Sequence, residues 1–257
     1  SFFERFVDID GLMITAGFGR LQLFKDADEN MIMNSFNVNT IPVLRLIKRF
    51  YDKLEGKQDF FCGVMVSIAG FMSSPFFSIY AATKAALKIF IESVNVELVK
   101  AGSTNRILNV SPGSLKGTSF SAGKTDLNVT APMAQAIIQH LEKKDDLFIP
   151  QYDEIFRNVL ERYHADFRAE GIHSYEYKQK SGRMRPLLFS LRKQCLTKHL
   201  SETASPVLFL YHNIKKSHIA LLQNSKAAGN RLFIQIHGST KYRVRNLFLY
   251  LFCRWNR

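Results

Sequence analysis

Residues 62–110 decide the fold of this chain. They comprise an apolar run, Cys62-Gly-Val-Met-Val-Ser67, a segment from 79 to 100 rich in Ala, Leu and Lys, and a second apolar run, Arg106-Ile-Leu-Asn-Val110. Short runs of this composition are typical of strands buried on both faces. The segment between them has the composition of a helix. A strand, a helix and a strand in this order predict a parallel sheet.

The same alternation continues on both sides of this stretch. Two further short apolar runs predict strands, and three longer segments with apolar residues at helical spacing predict helices. The chain is therefore expected to form an α/β fold, a doubly wound parallel sheet with helices on both faces. The predicted strands are 11–15 and 147–150, and the predicted helices are about 31–54 (interrupted by Pro42), 131–143 and 152–168.

Charge divides the chain of 257 residues into two parts. The formal net charge is +13, and residues 181–257, with 14 basic residues and one acidic residue (Glu202), account for all of it. Regular patterning fades after about residue 185. We expect residues 1–185 to form the α/β domain and residues 186–257 to be a basic, irregular extension of uncertain fold.

Several classes of protein are disfavoured by the sequence. Three widely spaced cysteines, Cys62, Cys195 and Cys253, support neither a disulfide framework nor a metal site. No apolar run approaches the roughly 18 residues of a membrane-spanning helix, and the first residues, Ser-Phe-Phe-Glu-Arg, lack the pattern of a signal peptide. These observations predict a cytoplasmic protein with no metal and no transmembrane segment.

The candidate chemistry lies in Tyr80-Ala-Ala-Thr-Lys84, at the start of the predicted helix. A spacing of four residues places the phenol and the ammonium on one helical face, where the cation can favour the phenolate and lower the pKa of the tyrosine. Such a tyrosine can donate or accept a proton at a carbonyl oxygen. The spacing alone is weak evidence, because Tyr211-His-Asn-Ile-Lys215 has it too.

The surroundings distinguish the first pair from the second. Ser67 ends a predicted buried strand 13 residues before Tyr80, and Asn39 lies 28 residues before Ser67. The position 13 residues before Tyr211 is Lys198. A serine and an asparagine at these distances accompany Tyr80 and not Tyr211.

Together these residues resemble the short-chain dehydrogenase/reductase family, which carries an Asn-Ser-Tyr-Lys tetrad on a Rossmann-type sheet. The resemblance covers roughly residues 8–150, with the family's order and spacing. Ile14-Thr15-Ala16-Gly17 is similar to the family's Asn-Asn-Ala-Gly element, although Ile14 and Thr15 replace both asparagines. Pro112-Gly113, followed by Thr118, is similar to the element that lines the nicotinamide.

The resemblance implies a role for each member of the tetrad. Tyr80 would be the general acid/base, Lys84 would lower its pKa and hold the nicotinamide ribose, and Ser67 would bind the substrate carbonyl. Asn39 would hold a water in the proton relay, with Asn37 as the alternative. The residues implied to contact the cofactor, NAD or NADP, are Ala16, Gly17, Tyr80, Lys84, Pro112, Gly113 and Thr118.

The implied activity is hydride transfer between the nicotinamide and a small-molecule carbonyl or alcohol. The family's Thr-Gly-x-x-x-Gly-x-Gly turn, which binds the pyrophosphate, has no counterpart in this sequence. We therefore expect an N-terminally truncated family member of weak or absent activity, whose preference for NAD or NADP cannot be deduced. By analogy with the family, we also expect a homo-oligomer.

Two alternatives remain at the level of sequence. The domain could be a non-catalytic interaction protein whose basic tail binds nucleic acid or an anionic membrane, although the tail's charges are scattered without a helix-turn-helix, zinc or aromatic-platform signature. Phe71, Met72, Phe76 and Phe77 could line an apolar substrate pocket, or equally belong to the core or to an oligomer interface.

Overall fold

The computed structural model describes residues 9–115, 117–118 and 126–180, together with the backbone of Leu208–Tyr211. None of the helices in these ranges combines the length and the apolar character needed to cross a membrane. The strands are β1 (Gly11–Ile14), β2 (Phe61–Met65), β3 (Ile107–Val110), β4 (Leu147–Phe148) and β5 (Leu208–Tyr211). The α-helices are α1 (Glu29–Asn39), α2 (Ile41–Arg49), α3 (Tyr51–Glu55), α4 (Ser78–Lys100), α5 (Leu127–Glu142), α6 (Arg157–Ala165) and α7 (Phe167–Lys180).

The strands form one sheet in the order β4-β3-β2-β1-β5. Strands β1 to β4 are parallel to their neighbours, and Gly63 of β2 pairs with Met13 on one side and Leu108 on the other. This confirms the predicted parallel α/β sheet. Strand β5 runs antiparallel beside β1. It falls in the predicted basic extension, whose other residues, like the expected boundary at 185, lie outside the described residues.

Both faces of the sheet are covered. On one face Cys62 and Val64 of β2 pack in a cluster with residues of the neighbouring strands and of α2 and α4. On the other face Leu108 and Val110 of β3 pack against Ile137 of α5. Successive residues of a strand point to opposite faces, so the unbroken apolar runs follow from burial on both sides.

Helix α4 carries a buried stripe along one side. Leu87, Ile91 and Leu98 on this stripe are at most 1% exposed, and with the buried Val94 they follow the alternating spacing of three and four residues that aligns side chains on a helix. Lys84 lies one turn before Leu87 and continues the stripe toward the start of the helix. The packing of α4 on the sheet therefore also buries the lysine.

Two helix boundaries differ from the predictions, and each difference has a local cause. The helix expected over 31–54 is instead the three helices α1 to α3. The first break follows Asn39, because Pro42 lies in the first turn of α2, where its missing N–H is not needed, and the second is at Phe50. Helix α5 begins at Leu127 rather than 131, since the side chain of Asp126 caps it by accepting from Asn128 N.

The helix expected over 152–168 is instead three successive pieces. A single π-helical segment, Tyr152–Phe156, leads into α6, which ends at Ala165. Asp166 then starts α7, because its carboxylate accepts from Arg168 N at 2.9 Å and Ala169 N at 3.0 Å. Helix α7 was not expected from the sequence.

The segment after β2 approaches α4 very closely. A short 3-10 helix, Ile68–Gly70, lies against α4, and a Cβ on Gly70 would come within 2.9 Å of the backbone carbonyl group of Lys84. Only a residue without a side chain allows this approach. Gly70 therefore sets the separation between the end of β2 and the first turns of α4.

We expect Gly70→Ala to destabilise the fold strongly, because the new methyl group would push the 3-10 helix away from the α4 backbone. Gly102→Ala is the matched control, since nothing lies within 4 Å of its Cβ position and the cost comes only from its φ of +79°. That cost is about 1 kcal/mol. Urea unfolding of both variants measures the difference, and an equal loss in the two would contradict the packing role of Gly70.

Candidate active site

Ser67 and Tyr80 meet at the carboxyl end of the sheet. Ser67 lies two residues beyond β2, where its Oγ accepts from Ala69 N at 3.2 Å and so begins the 3-10 helix. Tyr80 lies in the first turn of α4. The Ser67 side chain is near enough to Tyr80 to stabilise its phenolate form and so to lower the pKa of the phenol. Because the two hydroxyls lie near one another at the end of a strand, a single substrate oxygen can contact both.

Lys84 lies beneath this pair and is only 2% exposed. Its Nζ donates to Met65 O at 2.8 Å and is 5.7 Å from the centroid of the Tyr80 ring. Loss of hydration destabilises the charged ammonium and lowers the pKa of Lys84 from 10.5 to about 7. Near neutral pH the lysine is therefore close to equally divided between its charged and neutral forms.

The pKa of Tyr80 differs in direction from the expectation. Burial raises it above its ordinary value of 10.0, and the hydrogen bond from Ser67 partly opposes this rise. The expectation that Lys84 lowers the pKa of Tyr80 is thus not met in this structure. With a pKa of about 7, Lys84 has lost its proton at the pH where the phenol of Tyr80 ionises, so it supplies little positive charge to the phenolate.

Asn39, the last residue of α1, is fully buried. Its Oδ1 accepts from Phe18 N at 2.9 Å, while its Nδ2 donates to Phe18 O at 2.9 Å and to Thr83 Oγ1 at 3.1 Å. The side chain thereby ties the loop after β1 to α4. Both N–H groups of the amide are used in these bonds. Asn39, rather than Asn37, is the asparagine with these bonds to the site.

Two threonines that the sequence analysis did not select complete this network. Thr83 Oγ1 donates to Tyr80 O at 2.7 Å, and Thr40 Oγ1 donates to Thr83 O at 3.1 Å. Thr83 stands one helical turn after Tyr80, on the side that faces α1. Thr83 lies between Tyr80 and Lys84 in the sequence, which is the one signal that could have pointed to it. Its partner Asn39 is 44 residues away, and only the fold brings the two side chains together.

Gly17, in the loop after β1, lies close to two polar side chains of the site. A Cβ on Gly17 would lie 3.2 Å from Lys84 Nζ and 3.4 Å from Asn39 Oδ1, and its φ is +157°. A side chain there would crowd both polar groups. Ala16, beside Gly17, packs against the core.

The other predicted cofactor residues lie after β3. Pro112 O accepts from Ile68 N at 3.1 Å, which places Pro112 next to Ser67. Gly113 lies against the ring of Phe156, whose Cζ would be 2.6 Å from a Cβ on this glycine. Thr118 Oγ1 donates to Leu115 O at 2.9 Å, within its own loop. The contact with Phe156, 43 positions later in the chain, is another feature absent from the sequence analysis.

A small, shallow cleft lies beside Tyr80, between the loop after β1, helix α1 and the start of α4. Phe24, Met31, Phe76 and Phe77 line its apolar side, and its polar lining includes Arg20, Gln22 and Ser35. The four apolar residues whose role the sequence left open therefore fall into two groups. Phe76 and Phe77 line the cleft, whereas Phe71 and Met72 pack in a separate apolar cluster with Ile68, Ile149, Leu160 and Phe156.

A model of the short chain dehydrogenase family matches residues 1–128. The chain belongs to the short-chain dehydrogenase/reductase family. In the curated collection of proteins, it is 27% identical over 152 residues to retinol dehydrogenase 8 of Bos taurus, an alignment that covers 59% of this chain and 48% of that protein. The chain therefore spans about half the length of that relative.

Solved structures of other members share the fold. A short-chain dehydrogenase/reductase from Burkholderia phymatum in complex with NAD has a TM-score of 0.54 at 17% identity, covering 65% of this chain and 69% of its own. A short chain dehydrogenase from Burkholderia cenocepacia J2315 in complex with NADP has a TM-score of 0.50 at 22% identity, covering 63% and 68%. The Rossmann-like architecture expected from the sequence is confirmed.

Membership of the short-chain dehydrogenase/reductase family agrees with the local chemistry. Tyr80, Lys84, Ser67 and Asn39 lie together at one site. Within the ranges that the structure describes, no group of three or more His, Cys, Asp or Glu side chains could hold a metal ion. The protein's own polar groups at this site are thus hydroxyls, an amide and an ammonium.

Replacement of Lys84 by Met should remove a pH dependence of stability. Between the folded pKa of about 7 and the ordinary value of 10.5, the unfolded chain binds more protons than the folded chain. The contribution of Lys84 to the free energy of unfolding therefore rises with pH in this window. The stability of Lys84→Met relative to the unmutated chain should fall by about 1.4 kcal/mol per pH unit there.

Urea unfolding between neutral pH and about pH 9 measures this difference, within the window given by the two pKa values. Lys100→Met, at the exposed end of the same helix, is the matched control and should run parallel to the unmutated chain. Parallel profiles for Lys84→Met as well would show that the folded chain does not depress the pKa of Lys84.

Proposed function

We propose that this protein is an NAD(P)-dependent oxidoreductase that interconverts a carbonyl compound and its alcohol, with Tyr80 as the general acid/base. The observation that carries the proposal is the placement of Ser67 beside Tyr80 at a shallow cleft, above the buried ammonium of Lys84. A bound nicotinamide would supply or accept the hydride. The related structures with NAD and with NADP support this cofactor class and leave the preference open.

The protein's own task at the substrate oxygen is to move a proton and to stabilise charge. In the reductive direction, Tyr80 and Ser67 donate hydrogen bonds to the carbonyl oxygen, and the proton of Tyr80 passes to it as negative charge develops. In the oxidative direction Tyr80 accepts the proton of the alcohol. The name of the relative retinol dehydrogenase 8 supports an alcohol as one member of the substrate pair.

Lys84 and Asn39 act behind this pair. A lysine with a pKa of about 7 exchanges its proton near neutrality, so it can renew the proton of Tyr80 as well as hold a ribose hydroxyl. Asn39 fixes the loop after β1 against α4 through Phe18 and Thr83. We propose a positioning role for its side chain. Because both N–H groups of the amide already donate to protein atoms, a water in the proton relay would have to bind to the backbone of Asn39.

We propose the remaining cofactor contacts from where the residues lie in the structure. Gly17 and Ala16 lie beside Lys84, where a backbone can approach a ribose and a nicotinamide closely. Pro112 lies next to the 3-10 helix that begins at Ser67, and Gly113 and Thr118 follow it in the loop after β3.

Tyr80→Phe should lower turnover by about 10²–10⁴-fold, the usual contribution of a general acid/base. The ring remains, so the affinity for NADH or NADPH should stay within a few-fold of that of the unmutated chain. Both quantities are measured on one preparation, by fluorescence titration of the cofactor and by reduction of an aromatic aldehyde.

The chain supplies its own control for this test. Tyr211 has a lysine four residues later but no serine 13 residues before it, so Tyr211→Phe should leave turnover unchanged. Equal turnover in Tyr80→Phe and Tyr211→Phe would exclude Tyr80 as the acid/base. Failure of the chain to bind either nucleotide would exclude the cofactor class.

We also expect a homo-oligomer. On α4, Ile89, Val96 and Val99 are 58%, 69% and 56% exposed, and they supply apolar surface that a second copy can cover. Val96→Glu should shift the molecular mass in sedimentation velocity toward the monomer, because a charge would be buried in the contact. A monomeric mass for the unmutated chain would refute this expectation.

A further inference from the structure

Phe76 has a backbone conformation that needs outside support. Its φ is +67°, in the left-handed region that bulky residues avoid, and its side chain is only 4% exposed. Such a residue persists where its surroundings hold it, and such positions cluster at functional sites. Phe76 is also part of the cleft beside Tyr80, so whatever holds it shapes that cleft.

Contacts from two sides hold this residue. From the loop after β1, Gln22 N donates to Phe76 O at 2.8 Å. From the other side, the ring of Tyr175 on α7 stacks on the Phe76 ring, with centroids 4.4 Å apart and an interplanar angle of 28°. The strained residue is thus clamped between a loop of the site and a helix near the end of the described domain.

Helix α7 also holds the residues on both sides of Phe76. Lys178 Nζ donates to Pro75 O at 2.9 Å and to Ser74 Oγ at 3.1 Å, and it lies 5.6 Å from the centroid of the Phe77 ring. Pro75, Phe76 and Phe77 therefore each contact one of two side chains that are three positions apart on the same face of α7.

Helix α7 lies at the surface of the described domain. No residue of the helix is buried, and Glu170 at its start accepts from Arg162 Nε of α6 at 2.8 Å. Beneath the helix, Ser73 Oγ is buried with no hydrogen-bond partner among the described residues, 3.2 Å from where a Cβ of Gly171 would lie. An unpaired buried hydroxyl opposes the docking of α7. Small changes at this interface should therefore shift the helix.

The cleft presents apolar side chains beside Tyr80. Phe24, Met31, Phe76 and Phe77 supply aromatic and thioether surface, and no acidic side chain belongs to the described lining, whose charged member is Arg20. Phe24 is 64% exposed at the cleft. A flat apolar alcohol or carbonyl compound matches this lining, whereas a cationic substrate finds no carboxylate.

We infer that Tyr175 and Lys178 are positioning residues, which hold Phe76 and Phe77 as the apolar wall of a cleft that takes an aromatic or similarly apolar carbonyl compound to Tyr80. The inference rests on the proposed function for the reaction at Tyr80. The contacts of Tyr175 and Lys178 with residues 75–77, here called the clamp, can be tested by structure and binding without turnover. Through the clamp, α7 sets the affinity for the substrate without touching the reacting atoms.

The test compares substitutions on one helix, with naphthaldehyde as the probe. Tyr175→Ala removes the stack on Phe76, and Tyr177→Ala makes the same change at a side chain that is 57% exposed. Tyr175→Phe keeps the stack, and Ser73→Ala removes the unpaired hydroxyl. Amide hydrogen exchange at Gln22 reports the bond to Phe76 O, and calorimetry gives the affinity for naphthaldehyde.

We expect Tyr175→Ala to accelerate exchange at Gln22 and to weaken naphthaldehyde binding by about tenfold, the range of a lost aromatic contact. Tyr175→Phe and Tyr177→Ala should match the unmutated chain. Ser73→Ala should slow amide exchange at Gln22, because it removes the unpaired hydroxyl that opposes the docking of α7. In turnover assays, Tyr175→Ala should raise KM for naphthaldehyde and leave kcat unchanged, a separation that general destabilisation would not produce.

Equal exchange and affinity in Tyr175→Ala and Tyr177→Ala would overturn the inference, as would failure of the unmutated chain to bind naphthaldehyde. A fall in kcat with unchanged KM would overturn it as well. If exchange and affinity respond as expected in a chain that does not reduce naphthaldehyde, the clamp stands and the proposed function fails for this substrate.

Discussion

The buried ammonium of Lys84 is the constraint on which the site depends. It lies on the stripe by which α4 packs on the sheet, and its bond to Met65 O fixes the start of that helix against the end of β2. Gly70 allows this approach, because any side chain there would meet the α4 backbone. The position of Tyr80 relative to Ser67 follows from these two contacts. The chemistry is thus a consequence of how closely one strand end and one helix can pack.

Burial also determines the electrostatics. Loss of hydration lowers the pKa of Lys84 to about 7 and raises that of Tyr80, so both groups are disfavoured in their charged forms. Ser67 is the group that opposes the rise at Tyr80. A site of this kind is destabilising for the fold. It also separates the two proton affinities, since the pKa of Lys84 falls and that of Tyr80 rises, so protonated Lys84 is the stronger acid and can return a proton to the Tyr80 phenolate. The network of Asn39, Thr83 and Phe18 holds the arrangement together.

Much of this arrangement was predictable because its signals are local in sequence. The apolar runs around Cys62 and Arg106 predict the parallel strands, and the spacing from Ser67 to Tyr80 predicts which tyrosine belongs to the site. The features that were missed depend on contacts between distant segments. The bond from Asn39 to Thr83, the ring of Phe156 against Gly113 and the docking of α7 on Phe76 cannot be found in any local pattern. The direction of the pKa of Tyr80 was missed for the same reason, since burial is a property of the packed chain.

The most direct test of the account is the titration of Tyr80 by NMR of the chain labelled with carbon-13 at the tyrosine ring, with the signal assigned by its absence in Tyr80→Phe. The account predicts that Tyr80 titrates above the ordinary tyrosine value of 10.0 and that Ser67→Ala raises the midpoint further. A midpoint at the ordinary value that Ser67→Ala does not change would contradict it, because Tyr80 would then be neither buried nor paired with the serine.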